Sequence, residues 1–352
     1  MKLSQASNIV YKAINFALDQ KDARNDEYVV PYLVGAAGLG KTAMIKDVAK
    51  KIGADRDVEC HVQELRLTER SPEEIAGWLI PNDDKSRMVH VAPDWMRKMT
   101  PNSYGILFLD ELPQAVTMCQ NVSAQICNER AVGSWKIPDG WAIIAAGNRM
   151  SDRAGTNNMP SHLKDRLMFL PVEADLEDTM AYANLVGWSE QIKAFLRFRP
   201  SRLHEFKVDQ DSCPSPRTWG KVNSVLKWGL DPVEQIDAIA GNIGQAATAE
   251  FVGFLKVYDV IPDIDELIAN PSSAVISDAP DVQYAVCAAL SSKLTGKNAK
   301  NIVTYLKRLP EQELAAFVIK DAMSRSEHLK RELTRDDAVR EWILSIGKHL
   351  VL

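Results

Sequence analysis

A glycine-rich segment near the amino terminus has residue types and a spacing that suit phosphate binding. Glycines let consecutive backbone N–H groups approach phosphate oxygens where a Cβ would block them. Lys41 places a positive charge on the β- and γ-phosphates, and the Thr42 hydroxyl can ligate Mg²⁺. The segment therefore predicts a site for ATP and Mg²⁺. Its phosphate-binding residues would be Gly35, Ala36, Ala37, Gly38, Leu39, Gly40, Lys41 and Thr42.

Two carboxylates follow a second apolar segment, 106–109, which is typical of a strand buried on both faces. Asp110 would hold Mg²⁺ through a coordinated water, and Glu111 would orient and deprotonate an attacking water. Adjacent residues on a strand point to opposite faces, so both acids reach one site only if the strand ends and turns there. Leu112-Pro113 supplies such a break. An apolar strand that ends in two acids is a common sequence pattern. Because a phosphate-binding segment precedes this one in the chain, we expect the two acids to belong to the same site.

A third polar position follows the apolar segment 141–146, at Gly147-Asn148. An amide at that strand end can hydrogen-bond the γ-phosphate or the attacking water. Gly-Asn is equally a favoured pair in an ordinary turn. The residues alone leave both interpretations open.

Strand and helix patterns alternate over the first half of the chain, which predicts a parallel sheet covered by helices. A helix over 3–20 precedes strands over 28–34, 58–67, 106–110, 141–146 and 167–172. The rest reads as helical, with helix starts at Asp175, Ser189, Pro216 and Asp231-Pro232 and a last helix capped by Thr334. We expect an α/β nucleotide-binding domain over 1–174, a helical lid over 175–260, a linker over 261–280 and a domain of three or four helices over 281–352.

Composition excludes several other classes. Of 352 residues, 46% are hydrophobic and 25% charged, as in ordinary globular proteins, and the net charge of −5 gives no basic field for a polyanion. No apolar run approaches the length of a membrane span, and the start does not read as a signal peptide. The five cysteines show no CxxC spacing, which favours a reducing cytoplasm over disulfides or zinc. The six histidines form no pair with metal-ligand spacing. The basic segment 293–331 has interleaved acids, which is typical of a solvated helical face.

The order of these motifs resembles that of AAA+ ATPases, and within them the MoxR-like branch, relatives of gas-vesicle, carboxysome and nitric-oxide-reductase accessory ATPases. The matching segments are GAAGLGKT at 35–42, ILFLDEL at 106–112, AAGN at 145–148, LKDR at 163–166 and SPRTW at 215–219. The resemblance implies that Asn148 is sensor 1, that Arg166 is an arginine finger reaching a neighbouring subunit's nucleotide, and that Arg217 is sensor 2 on a lid helix. Arg149 and Arg153 compete with Arg166 for the role in trans.

The resemblance also implies a ring, a hexamer in most such assemblies, and a protein client or adaptor, often one with a von Willebrand A-type domain. Segments 78–91 and 131–138 have hairpin patterns where the branch carries its helix-2 insert and the hairpin before sensor 1. Leu112-Pro113-Gln114-Ala115 departs from the branch, which more often has Asn and then Arg or Gln before Ala. Residues 275–352 match no module whose activity could be carried over.

Three functions remain open at this point. The first is an ATP-driven remodeller of a partner protein, and the second is a nucleic-acid-stimulated AAA+ motor or loader. The acidic overall charge counts against the second, because binding to a nucleic-acid backbone depends on phosphate neutralisation. The third is a nucleotide-gated scaffold that does not hydrolyse ATP. The presence of both acids and of the amide at Asn148 disfavours this third function.

Overall fold

The chain forms two compact units, Met1–Ala174 and Asp175–Leu352. A computed structural model describes residues 1–19, 28–149, 157–206, 210–258, 261–324 and 327–345. Its strands are β1 Val30–Val34, β2 Cys60–Arg66, β3 Trp78–Pro81, β4 Met88–Val91, β5 Tyr104–Asp110, β6 Ala131–Val132, β7 Trp135–Lys136, β8 Trp141–Gly147 and β9 Leu167–Pro171. All nine strands found in these ranges lie in the first unit.

The main sheet of the first unit has five parallel strands in the order β2-β5-β8-β1-β9. The helices of this unit are α1 Leu3–Asp19, α2 Lys41–Arg56, α3 Pro72–Ala76, α4 Thr117–Glu129 and α5 Ser161–Lys164. Helices α1 and α2 pack on one face of the sheet, and α4 and α5 pack on the other. Strand β5 sends Ile106 and Phe108 to one face and Leu107 and Leu109 to the other, all fully buried. The prediction of a parallel sheet flanked by helices is confirmed.

Two short antiparallel hairpins, β3–β4 and β6–β7, stand apart from the main sheet. They occupy the two segments with hairpin patterns in the sequence. The first hairpin is largely exposed, with Trp78 at 61% and Met88 at 55% relative accessibility. The second touches the first, because a Cβ on Gly133 would lie 3.3 Å from the His90 ring. The two hairpins are therefore in contact with each other.

The described part of the second unit is entirely helical. Its helices are α6 Leu176–Val186, α7 Glu190–Phe198, α8 Pro216–Val225, α9 Pro232–Ile243, α10 Gln245–Tyr258, α11 Ile264–Ala269, α12 Pro280–Lys293, α13 Ala299–Leu306, α14 Gln312–Ser324, α15 Glu327–Arg335 and α16 Asp337–Ser345. The predicted helix starts at Asp175, Ser189, Pro216 and Asp231 are confirmed, with side-chain caps from Asp175, Ser189, Ser215 and Asp231.

The predicted cap at Thr334 is wrong. Thr334 lies inside α15, where its hydroxyl donates to the Lys330 carbonyl oxygen at 2.6 Å, and Asp336 accepts from the Val339 N–H at the start of α16. Threonine can bond either the backbone ahead of it or the carbonyl one turn behind it, and the sequence does not distinguish the two. Five helices follow residue 280 in the described ranges, one or two more than predicted.

Residues 261–280 are not a bare linker. They contain α11, whose Ile264 and Leu267 are buried in the same apolar core as α12, α13 and α14. The predicted lid and the predicted C-terminal domain also share a buried ion pair. Arg197 on α7 lies 2.6 Å from the Asp321 carboxylate on α14, and Asp321 accepts a hydrogen bond from Ser291 of α12 at 2.6 Å. The structure therefore groups 175–352 as one unit.

Candidate functional site

The glycine-rich segment connects the carboxyl end of β1 to the first turn of α2. Gly38 and Gly40 have φ of 83° and 88°, in the left-handed region where side chains with a Cβ are strained. This backbone lets α2 begin directly at Lys41. The first N–H groups of a helix have no partner within the helix and carry the positive end of its dipole. The segment therefore has the backbone geometry of an anion-binding turn.

The Lys41 side chain folds back over this turn and is 9% exposed. Its Nζ donates to the carbonyl oxygens of Gly35 at 2.6 Å and Ala36 at 2.9 Å, and it lies 3.4 Å from Asn148 Oδ1. Asn148 directly follows β8, the neighbour of β1 in the sheet. The structure thus brings together the lysine and the amide that the sequence placed at two different strand ends.

The two acids lie at the end of β5, on the other side of β8 from β1. Glu111 leaves the strand with φ of 58°, the left-handed region, which is uncommon for a residue other than glycine. A 3₁₀ turn over Leu112–Gln114 follows. The chain therefore turns where the sequence predicted a break. Backbone strain of this kind persists where the surroundings fix it, and it is concentrated at functional sites.

Asp110 is half-buried, as is Glu111, and burial raises the pKa of the Asp110 carboxyl group. The N–H of Glu111, which donates to Asp110 Oδ1 at 3.0 Å, and the nearby positive charge of Lys41 act in the opposite direction. A carboxylate that burial disfavours in this way gains from a cation placed beside it. With the half-buried Thr42 hydroxyl it offers oxygen ligands, the type Mg²⁺ prefers, and Mg²⁺ usually takes its remaining ligands from water and phosphate. These residues fit a magnesium ion bound together with a phosphate chain.

Metal binding by protein side chains alone finds no support. Within the ranges that the structure describes, no group of three or more His, Cys, Asp or Glu side chains is arranged to hold a metal ion. The five cysteines are free thiols.

Sequence reasoning missed Thr68. Its hydroxyl donates to Glu111 Oε2 from the 3₁₀ turn Leu67–Glu69, which follows β2. Strand β2 pairs with β5 so that Arg66 lies opposite Asp110, which brings the residues after β2 next to the acids. A polar residue just after a strand adjacent to β5 was the available signal, but the strand order was needed to use it. The contact fixes the orientation of the Glu111 carboxylate.

Because Gly147 has no side chain, the turn that follows Glu111 can pack closely on the end of β8. A Cβ at position 147 would lie 2.1 Å from Pro113 Cδ and 2.5 Å from Pro113 Cγ. No side chain larger than hydrogen fits there while Pro113 keeps its place. The Pro113 ring, two residues after Glu111, therefore packs directly on the backbone just before Asn148.

The candidate arginines differ in their positions along the chain. Arg166 precedes β9, at the amino end of a strand parallel to β1, and so at the opposite edge of the sheet from Lys41. Arg149 donates to the Val172 carbonyl oxygen at 2.8 Å and lies 3.7 Å from the Glu173 carboxylate. Arg217 is exposed in the first turn of α8, in the second unit. Arg153 lies outside the described residues.

The fold and site together define an α/β protein with a phosphate-binding turn, an acidic pair and an amide at the carboxyl ends of adjacent parallel strands. No family model matches the chain, and no curated protein matches it. Solved structures with similar folds include RuvB of Thermotoga maritima, a Holliday junction branch migration motor, at 13% identity and a TM-score of 0.40, with 82% of each chain covered. Another is NtrX from Brucella abortus, at 14% identity and a TM-score of 0.30, with 96% of this chain and 67% of that chain covered. Identities and TM-scores this low establish neither a family nor a shared activity. None of the helices in the described residues has the length and apolar character needed to cross a bilayer.

Proposed function

We propose that this chain is an ATPase of the AAA+ class, in its MoxR-like branch, which uses ATP hydrolysis to remodel or activate a partner protein. The observation that supports it is the meeting of Lys41, Asn148, Asp110 and Glu111 at the carboxyl ends of β1, β8 and β5. Ligands of open α/β sheets bind at that edge.

In this proposal the residues of one chain bind and position the reactants. The turn 35–42 wraps the phosphates, and Lys41 exchanges its carbonyl partners for β- and γ-phosphate oxygens. Thr42 and Asp110 hold Mg²⁺, which when bound neutralises charge on the phosphates. Asn148 hydrogen-bonds the γ-phosphate or the attacking water, and the Glu111 carboxylate accepts the water's proton.

A second copy of the chain completes the site. We place Arg166 in trans, because its strand end lies at the edge of the sheet opposite the turn 35–42 and a chain cannot readily bring it to its own nucleotide. Its guanidinium suits the charge that develops on the transferred phosphoryl group. Repeating this contact head to tail closes a ring, which we propose to be a hexamer. Arg217 is proposed as sensor 2, through which the second unit responds to nucleotide.

The partner is proposed to be a protein of the cytoplasm, such as one that carries a von Willebrand A-type domain. The exposed hairpin β3–β4 supports a protein partner, because Trp78, Ile80 and Val91 lie on one face of it and present apolar surface to solvent. The net charge of −5 gives no support to a nucleic-acid partner.

Nucleotide binding and turnover of two variants test the proposed roles in one chain. Lys41→Ala is expected to lose ATP binding, and Glu111→Gln is expected to bind ATP and lose hydrolysis. Lys50→Ala, on an exposed turn of the same helix, and Glu73→Gln, an exposed acid of α3, are matched controls expected to behave as wild type. Normal phosphate release by Glu111→Gln would refute its role as the general base.

A mixing experiment tests the role of Arg166 in trans. Arg166→Ala subunits alone are expected to keep only a slow residual rate of ATP hydrolysis, and Glu111→Gln subunits alone are expected to have lost it. Mixed together, they form some interfaces in which an intact Glu111 faces an intact Arg166, so activity should reappear with a maximum at an intermediate ratio. If an Arg166→Ala protein hydrolysed ATP at the wild-type rate, Arg166 would not be the arginine that acts in trans. Arg149 and Arg153 would then be tested for that role.

A further inference from the structure

The turn that carries Glu111 is held by hydrogen bonds from two different parts of the first unit. The carbonyl oxygen of Pro113 accepts from the Asn157 N–H at 2.6 Å, and that of Ala115 accepts from Asn157 Nδ2 at 2.9 Å. The buried Gln120 amide on α4 donates to the same two oxygens, at 3.3 and 3.0 Å. Because Leu112 and Ala115 are fully buried as well, the turn has little freedom to move alone.

Asn157 and Gln120 differ in the segments of the chain to which they belong. Gln120 is fixed within a long helix of the core, whereas Asn157 begins the segment that leads through Met159 and Pro160 into α5 and then to Arg166. Leu163 of α5 is fully buried in the same core. The Arg166 guanidinium donates to the carbonyl oxygen of His162 in α5, and this hydrogen bond holds Arg166 against the end of that helix. Asn157 is therefore the hydrogen-bonded link between the base-bearing turn and the arginine-bearing segment.

Arg166 itself is incompletely bonded. Its Nε is buried and has no hydrogen-bond partner among the described residues. A buried donor without an acceptor is costly, so this arginine gains from a rearrangement that supplies an acceptor. An anionic group brought by a second copy of the chain would do so, and it would shift the segment to which Asn157 belongs.

We propose that Asn157 is a positioning residue which couples the engagement of Arg166 with a neighbouring subunit to the placement of Glu111 in its own site. This inference rests on the proposed function, since it takes Arg166 as the trans arginine and Glu111 as the base. When Arg166 engages a neighbour, Asn157 carries the movement to the carbonyls of Pro113 and Ala115, and the turn brings the Glu111 carboxylate into line. Hydrolysis in one subunit thereby depends on contact with the next.

The adjacent residue provides a matched control. Asn158 is exposed like Asn157, and no hydrogen bond of its side chain is found in the described part of the chain. Asn157→Asp keeps the side chain's shape, removes the Nδ2 donor and places a carboxylate against the Ala115 carbonyl oxygen. Asn158→Asp makes the same chemical change without touching the turn. Asn157 is exposed, so neither variant should unfold the protein.

Steady-state ATP hydrolysis by these variants, alone and combined with Arg166→Ala, tests the coupling. We expect Asn157→Asp to lower kcat about tenfold with KM for ATP within about twofold of wild type, the size expected when one hydrogen bond that positions the Glu111 turn is lost. Asn158→Asp should match wild type in both. In the Arg166→Ala background, Asn157→Asp should cost no more than about twofold further, because the two residues act through one path.

Two results would overturn the coupling while leaving the proposed function intact. One is an Asn157→Asp protein with the kcat of Asn158→Asp. The other is a double variant slowed by the full product of its two single effects, which would show that the residues act independently. A wild-type rate for Arg166→Ala alone would instead remove the trans assignment of the proposed function, and the coupling with it.

Discussion

A single methyl group at position 147 tests whether the acidic turn must pack directly on the strand that carries Asn148. A Cβ on Gly147 would lie 2.1 Å from Pro113 Cδ. Carbon atoms in contact stay about 3.5–4.0 Å apart, so the Pro113 ring would have to withdraw by more than about 1 Å. The hydrogen bonds from Gln120 and Asn157 to the Pro113 carbonyl oxygen oppose that withdrawal.

The expected magnitude follows from these contacts. Overpacking of a well-packed site costs about 1–3 kcal/mol, so urea denaturation of Gly147→Ala should show a free energy of unfolding lower by about that amount. Displacing a reacting group by about 1 Å costs on the order of 10²-fold in rate. Because Pro113 lies two residues after Glu111, we expect kcat for ATP hydrolysis to fall by about 100-fold, with a much smaller change in ATP affinity.

Two further variants separate the steric cause from a general effect of alanine. Gly241→Ala in α9 introduces a Cβ that meets nothing within 4 Å, so it should leave kcat unchanged and raise stability by up to about 1 kcal/mol. Adding Pro113→Ala to Gly147→Ala removes both clashing carbons, and it should recover stability and part of the lost kcat. A Gly147→Ala protein with wild-type stability and kcat would refute the reasoning.

Three other predictions address the rest of the structure. Arg197→Met leaves the buried Asp321 carboxylate without its ion-pair partner, so the free energy of unfolding in urea should fall by about 3–5 kcal/mol; a loss below about 1 kcal/mol would contradict this. Thr68→Val removes the hydroxyl that orients Glu111 and should lower kcat about fivefold at unchanged KM, with recovery in Thr68→Ser. Burial raises the pKa of Asp110, so its ionisation destabilises the folded, ligand-free chain as pH rises through that pKa. At neutral pH, Asp110→Asn should therefore raise the melting temperature and abolish the further rise that Mg²⁺ with ATP gives wild type; a lower melting temperature would contradict this account.

The sequence was sufficient for the parts of the site that depend on local order. Each apolar segment predicted a strand, each polar residue fell at a strand end, and parallel strands bring their carboxyl ends to one edge. Lys41 and Asn148 could thus be expected together without knowledge of the strand order. The end of the strand after Asp110 was likewise predicted from Leu112-Pro113, although the left-handed conformation of Glu111 was not.

Contacts between segments that are far apart in the chain could not be predicted from the sequence. Thr68 reaches Glu111 only because β2 lies beside β5, and Asn157 reaches the turn only because α5 packs on the core. The linker prediction over 261–280 failed for a related reason. Proline, aspartate and serine report local turns, whereas the burial of Ile264 and Leu267 depends on helices elsewhere in the chain.

The positions of Arg166 and Arg217 would explain why the proposed enzyme binds ATP under conditions in which it does not hydrolyse it. The turn 35–42, Lys41 and Asn148 lie together within one unit, and a folded single chain can present them to a nucleotide. Transfer of the phosphoryl group develops charge that further cations must stabilise, and such cations account for several orders of magnitude in related chemistry. Arg166 lies at the opposite edge of the sheet and Arg217 belongs to the other unit. If these two supply that charge, a dispersed chain binds ATP and holds it, and hydrolysis begins only when a neighbour and the second unit are both in place.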